Sequence, residues 1–366
     1  MVGDKQRIPI SATLPLKGDS ALLGNPILDG MTLFFNSLQQ EHSSLPFVWS
    51  LKALDDQGEI TQARKNVKQL TKRSPLFLNF LQTDTLNVLL DQIEKQQIFG
   101  LFPLDGSAAL RSSTYPNLVF FRASYDQEIE ALTFYAIKNL NKKKMAIFYE
   151  DSDWGKAVYE SLKRAIAKYE RYKVQLVTQA TYPARTLLYI DKAADQIVSK
   201  APNAIFCIAQ ARAAYNFIRF VINKGLTKTT ILGLSSLMTI QSTLKNDRGV
   251  DIITSSVVPS PLKSDLPIAK EYRARLQKYM GNKKPNAFAF EGYINAALLN
   301  ECIKLIREPI TIQKIRSTIE SLKHVLFKGL DLRFDPATRT LSHQVWINTD
   351  EEKEWELSKA FEKKAS

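Results

Sequence analysis

Histidine is nearly absent from this chain, with three residues in 366, and cysteine is rarer still with two. That scarcity excludes most metal sites. His42, His324 and His343 fall in loops or at strand edges with no acidic or cysteine partner close in sequence, and no His/Cys cluster has zinc spacing. The nucleophile elbow Gly-x-Ser-x-Gly, the phosphate loop Gly-x-x-x-x-Gly-Lys-Ser/Thr and the dinucleotide turn Gly-x-Gly-x-x-Gly are all missing. Asp55-Asp56 is an acidic pair, but neighbouring loop carboxylates point apart and more often cap a helix. No catalytic residue, metal site or cofactor site is expected, and the chain reads as a non-enzyme.

Long apolar runs are missing too: none approaches the ~18 residues of a membrane span. Met1-Val-Gly-Asp-Lys5 is too short and too polar for a signal peptide. It fits a cytoplasmic start or the stump of a replaced export signal equally well. Cys207 and Cys302 sit in apolar contexts and read as small core residues, with a disulfide unsupported. The net charge is +13, yet Lys and Arg are spread over the whole length. No aromatic-interleaved basic motif appears, so nucleic acid is not the expected partner. A basic chain favours anions, which gives weight to an anionic ligand.

What is present is alternation. Ile8–Leu14 alternates as a strand, Pro15 and Gly18 end it, and Asn25-Pro26 opens an apolar helix with proline at its first position. Strand- and helix-patterned segments then follow one another to Arg122, and a second series of similar size runs from Asp126 to Ser236. At about 150 residues per domain, the length suits two domains. Such alternation requires parallel doubly wound sheets, which bind ligands at the carboxyl ends of their strands. Ile252–Val258 runs into Pro259 and Pro261 as a crossing, and three helices follow, at 267–280, 287–307 and 312–321. The end is different: Leu332–Asp335, Gln344–Asn348 and Glu354–Leu357 read as a β-meander.

These stretches resemble the type I periplasmic solute-binding proteins, the leucine/isoleucine/valine-binding-like family of ABC transporter substrate-binding subunits. Leu14-Pro-Leu-Lys-Gly18 with Gly24 and Gly30 matches the family's opening, and Asp55-Asp56 matches its acidic pair after strand two. Phe121-Arg122…Asp126 matches the first lobe crossing, Phe290-Glu-Gly-Tyr293 matches a late helix, and Asp153-Trp-Gly155 adds a weaker match. Two departures concern the ligand. Ser235-Ser236 stands where amino-acid binders place an acidic residue, and Gln210-Ala-Arg212 stands where they place an aromatic.

The resemblance implies an α/β fold of two doubly wound lobes joined by a three-crossing hinge, near Phe121–Ser124, Thr254–Pro259 and Gly329–Leu332. Lobe one would be 1–121 plus 257–330, and lobe two 122–256 plus 331–366. It implies an extracytoplasmic, monomeric carrier: a small polar ligand, amino-acid-like or a small carboxylate or amide, is captured by clamshell closure and passed to an ABC permease in the membrane. Other readings are a sensing or scaffold protein of the same fold and, further off, a doubly wound hydrolase.

The same likeness nominates ligand residues. Thr83, Asp84, Asp105, Gly106 and Ser107 match two lobe-one loops that hold an α-carboxylate in amino-acid binders. Backbone N–H groups at helix N-termini make such an anion site; the competing reading is that these side chains only cap helices. Leu23, beside Leu22 in the first loop, offers an apolar wall. From lobe two come Trp154 as an aromatic lid, Arg212 as a clamp for a carboxylate or phosphate, and Gln210 and Ser235 as further contacts. Against these stand surface packing for Trp154 and a solvated helix start for Arg212.

Overall fold

The computed structural model describes residues 5–42, 45–79, 83–245, 250–307 and 309–361. By their contacts they form two compact units, and the chain passes between these repeatedly. The first unit comprises Met1–Asp105, Ala109–Arg122 and Ser264–His343; the second comprises Gly106–Ala108, Ala123–Lys263 and Gln344–Ser366.

In the first unit the alternation gives β1 (Gln6–Leu14), α1 (Ala21–Glu41), β2 (Phe47–Asp55), α2 (Ile60–Thr71), β3 (Leu76–Leu78), α3 (Thr83–Glu94), β4 (Phe99–Leu101) and β5 (Leu118–Val119). The second unit continues with α4 (Tyr125–Lys138), β6 (Lys144–Asp151), α5 (Asp153–Lys168), β7 (Gln175–Pro183), α6 (Ile190–Val198), β8 (Ala204–Ile208), α7 (Ala211–Asn223), β9 (Thr230–Gly233), α8 (Met238–Lys245) and β10 (Asp251–Ser256). The chain returns to the first unit for α9 (Pro267–Met280), α10 (Ala287–Lys304), α11 (Ile312–Glu320) and a hairpin of β11 (Val325–Phe327) and β12 (Leu330–Leu332). It ends on the second unit with β13 (Trp346–Asn348) and β14 (Glu356–Leu357).

The first sheet is wholly parallel, in the order β2-β1-β3-β4-β5. The second runs β14-β13-β10-β9-β8-β6-β7, parallel from β10 to β7, with β13 and β14 added antiparallel on its edge. Parallel strands covered by helices are buried on both faces and read as continuous apolar runs. Thus every residue of β8, Ala-Ile-Phe-Cys-Ile, is buried. Inside the second unit Phe148 stacks face to face on Phe217 with centroids 3.9 Å apart, and on its other side lies Tyr182 at 5.1 Å. Cys207 and Cys302 are both buried free thiols, as their apolar contexts suggest.

Several expectations shift on inspection. Helix α1 begins at Ala21, not at Pro26, so Leu22 and Leu23 lie in its first turn instead of a loop. Pro26, the sixth residue of α1, lies beyond the four N–H groups that a helix start leaves unpartnered, so it deprives Leu22 O of its helical donor while the helix continues through it. Strand β3 stops at Leu78, and Phe80 and Leu81 lie outside the described residues. Helix α8 and the β11–β12 hairpin were not legible in the pattern. The chain changes unit at Asp105/Gly106, Ala108/Ala109, Arg122/Ala123, Lys263/Ser264 and His343/Gln344. For the last, the reason is local: the Phe120 N–H donates to Arg339 O (2.9 Å), while the Leu341 and Ser342 N–H groups donate to Phe120 O (2.9 Å) and Phe121 O (2.8 Å). Residues 339–342 therefore run beside the end of β5, and only from Gln344 does the chain join the second unit.

The first unit is built around α10. All of its residues except Glu301 and Lys304 are buried, as expected of a helix apolar on every side. It approaches α1 so closely that a Cβ on Gly30 would stand 1.8 Å from Ala289 O, and one on Gly292 would stand 2.4 Å from Ile27 O. Gly18 has a positive φ of 74° but open space around its Cβ position. Gly30→Ala should therefore cost about 3 kcal/mol, the upper end for overpacking because backbone must move, against about 1 kcal/mol for Gly18→Ala. Chemical denaturation decides: equal losses for the two variants would refute the close-packing account.

Candidate functional site

In a doubly wound sheet the ligand crevice lies where the strand order reverses, beyond the carboxyl ends of the strands. In the second unit β6 is followed outward by β7 and then, on its other flank, by β8. The reversal therefore lies between β6 and β8, whose following loops carry Trp154, Gln210 and Arg212. Ser235 follows β9, the next strand over.

These loops are tightly built. Ser152 caps α5, its Oγ accepting the Gly155 N–H at 3.3 Å. The turn is so sharp that a Cβ on Gly155 would lie 1.9 Å from Glu150 O, so only glycine fits. Trp154 is held half-exposed in that first helical turn. Tyr182, from the end of β7, ties the neighbouring loops together. Its hydroxyl donates to Glu150 Oε2 at 2.9 Å and accepts the Gln210 N–H at 3.1 Å. Burial pushes the phenol pKa far up, and the nearby Glu150 charge adds to this, so the hydroxyl keeps its proton. Gln210 thereby starts α7, and Arg212 projects as an exposed residue one turn position further on.

Ser235 is buried in a short 3₁₀ turn after β9. Its N–H lies 3.5 Å from Glu128 Oε2, which also accepts the Ser255 hydroxyl at 2.6 Å. Glu128 stands in the first turn of α4, more than a hundred residues from Ser235 in the chain. Sequence reasoning missed it; the one available sign was its place directly after the Ser124–Gln127 capping box, which fixes where α4 starts. The serine loop thus has a carboxylate behind it, but Glu128 is fully buried.

In the first unit the order reverses between β1 and β3. The acidic pair after β2 secures the loop after β1. Asp55 Oδ1 accepts the Leu16 N–H at 2.9 Å and Asp56 Oδ2 accepts the Thr13 hydroxyl at 2.9 Å, with the Gly58 N–H on Asp56 Oδ1. Burial raises the Asp56 pKa above the ordinary carboxylate value. Leu23 is half-buried at the start of α1. Thr83 and Asp84 open α3, and their side chains lie outside the described residues. Asp105 is fully buried at the end of the first unit's first segment. Gly106 and Ser107 group by contacts with the second unit, where the Tyr125 N–H donates to Gly106 O at 2.7 Å. A Cβ on Gly106 would stand 2.4 Å from the Tyr125 ring, so glycine is required here as well.

The nominated residues therefore occupy the carboxyl edges of the two sheets. Among the described residues no group of three or more His, Cys, Asp or Glu is placed to hold a metal, and no helix is long and apolar enough to cross a membrane.

A family model described as periplasmic binding protein matches residues 7–349. The chain belongs to the periplasmic binding protein family. This binding protein is similar in fold to a possible leucine/isoleucine/valine-binding protein from Rhodopirellula baltica SH 1, at 21% identity and TM-score 0.86 over 98% of both chains. A substrate-binding periplasmic protein from Ralstonia solanacearum aligns at 23% identity and TM-score 0.84, over 96% of this chain and all of the other. A solute-binding ABC transporter protein of R. palustris, solved with benzoate, aligns at 15% identity and TM-score 0.79, over 95% and 94%. No curated protein matches the chain.

Tyr182→Phe tests the tie at the carboxyl edge of the binding protein's second sheet. It leaves the buried Glu150 carboxylate without this donor and Gln210 N–H without this acceptor, and should cost about 1–3 kcal/mol. Unchanged stability in denaturant would mean that the hydroxyl does not hold the loops.

Proposed function

We propose that this chain is the extracytoplasmic solute-binding subunit of an ABC importer. It captures a small polar ligand with the carboxyl-edge loops of both units and delivers it, as a non-catalytic monomer, to a permease in the membrane. The observation that carries this is the pair of sheets whose parallel order reverses, between β1 and β3 and between β6 and β8, with cross-bonded loops beyond each reversal and a glycine-tight turn after β6. Membership of the periplasmic binding protein family supports it.

For the ligand, Arg212 is an exposed cation on the second sheet's edge, and its planar guanidinium suits a carboxylate or phosphate. The R. palustris protein solved with benzoate shows the fold accepting a carboxylate. Amino-acid binding would also need an anion for the ligand's ammonium group, because a buried charge without a partner is costly. Residues 234–237 offer hydroxyls, and Glu128 behind them is fully buried and already bonded to Ser255. Asp84 and Asp105 of the first unit, with Thr83, Ser107 and the Gly106 backbone, complete the proposed contacts; Leu23, Trp154, Gln210 and Ser235 border the ligand.

A thermal-shift screen over amino acids, small carboxylates, amides and polyols should find its stabilising hits among small molecules with an anionic or hydrogen-bond-accepting end. Leucine and valine should bind weakly or not at all. Arg212→Ala should weaken the best hit by about 1.5–3 kcal/mol, the worth of a hydrogen bond to a charged group. Tight leucine binding in calorimetry, or an Arg212→Ala protein of undiminished affinity, would overturn the ligand assignment.

A further inference from the structure

Arg111 and Arg122 are buried in the first unit at 8% and 5% exposure. A buried cation persists only where acceptors surround it, and two of the acceptors here are consecutive backbone carbonyls. Arg122 Nη1 donates to Leu104 O at 2.7 Å, and its Nε lies 3.5 Å from Glu291 Oε1. Arg111 Nη2 donates to Asp105 O at 2.9 Å. Its Nη1 donates to Arg122 O at 2.8 Å and Thr340 Oγ1 at 2.9 Å, and its guanidinium lies 4.3 Å from the centre of the Phe120 ring. Consecutive carbonyls, those of Leu104 and Asp105, are thus each gripped by a guanidinium. The next carbonyl, Gly106 O, accepts the Tyr125 N–H at 2.7 Å.

In a trans peptide the C=O and N–H of one plane point in opposite directions. Fixing the carbonyls of Leu104, Asp105 and Gly106 therefore fixes the directions of the N–H groups of Asp105, Gly106 and Ser107. We propose that Arg111 and Arg122 are positioning residues, which hold the 104–107 loop in one conformation so that its backbone donors are set for the ligand before it arrives. The proposal rests on the reading of 105–107 as a ligand loop. Donors held this way cost no ordering when the ligand binds, which is the general route by which preorganisation raises affinity. Lysine would not substitute at position 111. Its three donors radiate from a single nitrogen, whereas the planar guanidinium reaches three separate oxygens and lies over a ring at the same time.

The test is residue-resolved amide hydrogen exchange on the ligand-free protein. Tyr125 is the reporter: as the first residue of α4 it has no intrahelical partner for its N–H, so its protection depends on Gly106 O staying in place. Arg111→Lys should speed Tyr125 exchange about ten- to a hundredfold, the loss of roughly one charge-assisted hydrogen bond, while the buried β8 amides keep their rates. Arg122→Lys, which releases Leu104 O instead, should act in the same direction and serves if the first variant does not fold. Unchanged Tyr125 exchange in a folded variant, or a rise matched by the β8 amides, would overturn the proposal. Because no ligand is present in the measurement, failure of every solute in a binding screen would refute the ligand-loop reading and leave the positioning result intact.

Discussion

The first unit depends on how closely α1 and α10 approach each other. Gly30 against Ala289 O and Gly292 against Ile27 O bring the two helices nearly backbone to backbone. That contact sets what the polar residues of α10 can reach. Glu291 meets Arg122; Asn295 donates to Asn79 Oδ1 at 2.7 Å just past β3; and Asn300 accepts from the Trp49 indole at 3.0 Å. Tyr293 packs edge-on against Phe34 and donates to Glu271 at 2.7 Å. A methyl group at either glycine would displace all four at once.

Tyr293 also joins the helices to an outer ring of charge. Glu271 bonds Arg275, Tyr293 and Lys328, and Arg275 in turn bonds Glu41 at the end of α1. Burial alone would raise the Glu271 pKa, but its hydrogen bonds to Lys328 and Tyr293 outweigh that and hold it below the ordinary value. The network is partly exposed, so solvent screening limits its worth. Its role follows from placement: it joins α1, α9, α10 and the β11–β12 turn on the side away from Asn79 and Arg122. In the second unit the tie described above lies between loops. There a single phenol, Tyr182, links the loops after β6 and β8.

Much of this was legible in the residues, for a physical reason. The motifs that gave the resemblance are those that fix backbone. Gly30 and Gly292 permit close approach, Asp55 and Asp56 hold the β1 loop, Arg122 and Glu291 pair, and Gly155 allows the turn after β6. Such residues sit at strict spacings and leave a strong trace in sequence. The parallel strands were legible as well, because burial on both faces leaves apolar runs. What was lost is either short or long-range. The β11–β12 strands have three residues each, too few for a period to show. Glu128 bonds Ser255 and Arg111 bonds Thr340, partners that only the fold brings close. Helix α1 started earlier than expected because Pro26 was read as an opening residue when it lies inside the first turns.

The central claim is that loops on both sheets take hold of one ligand, and that the bound state is a distinct conformation selected because the ligand gains contacts from both units only there. Small-angle scattering of the protein titrated with its tightest ligand tests this most directly. The account predicts a radius of gyration that falls saturably, with the same midpoint as binding measured by calorimetry. Saturated binding with an unchanged radius would contradict it.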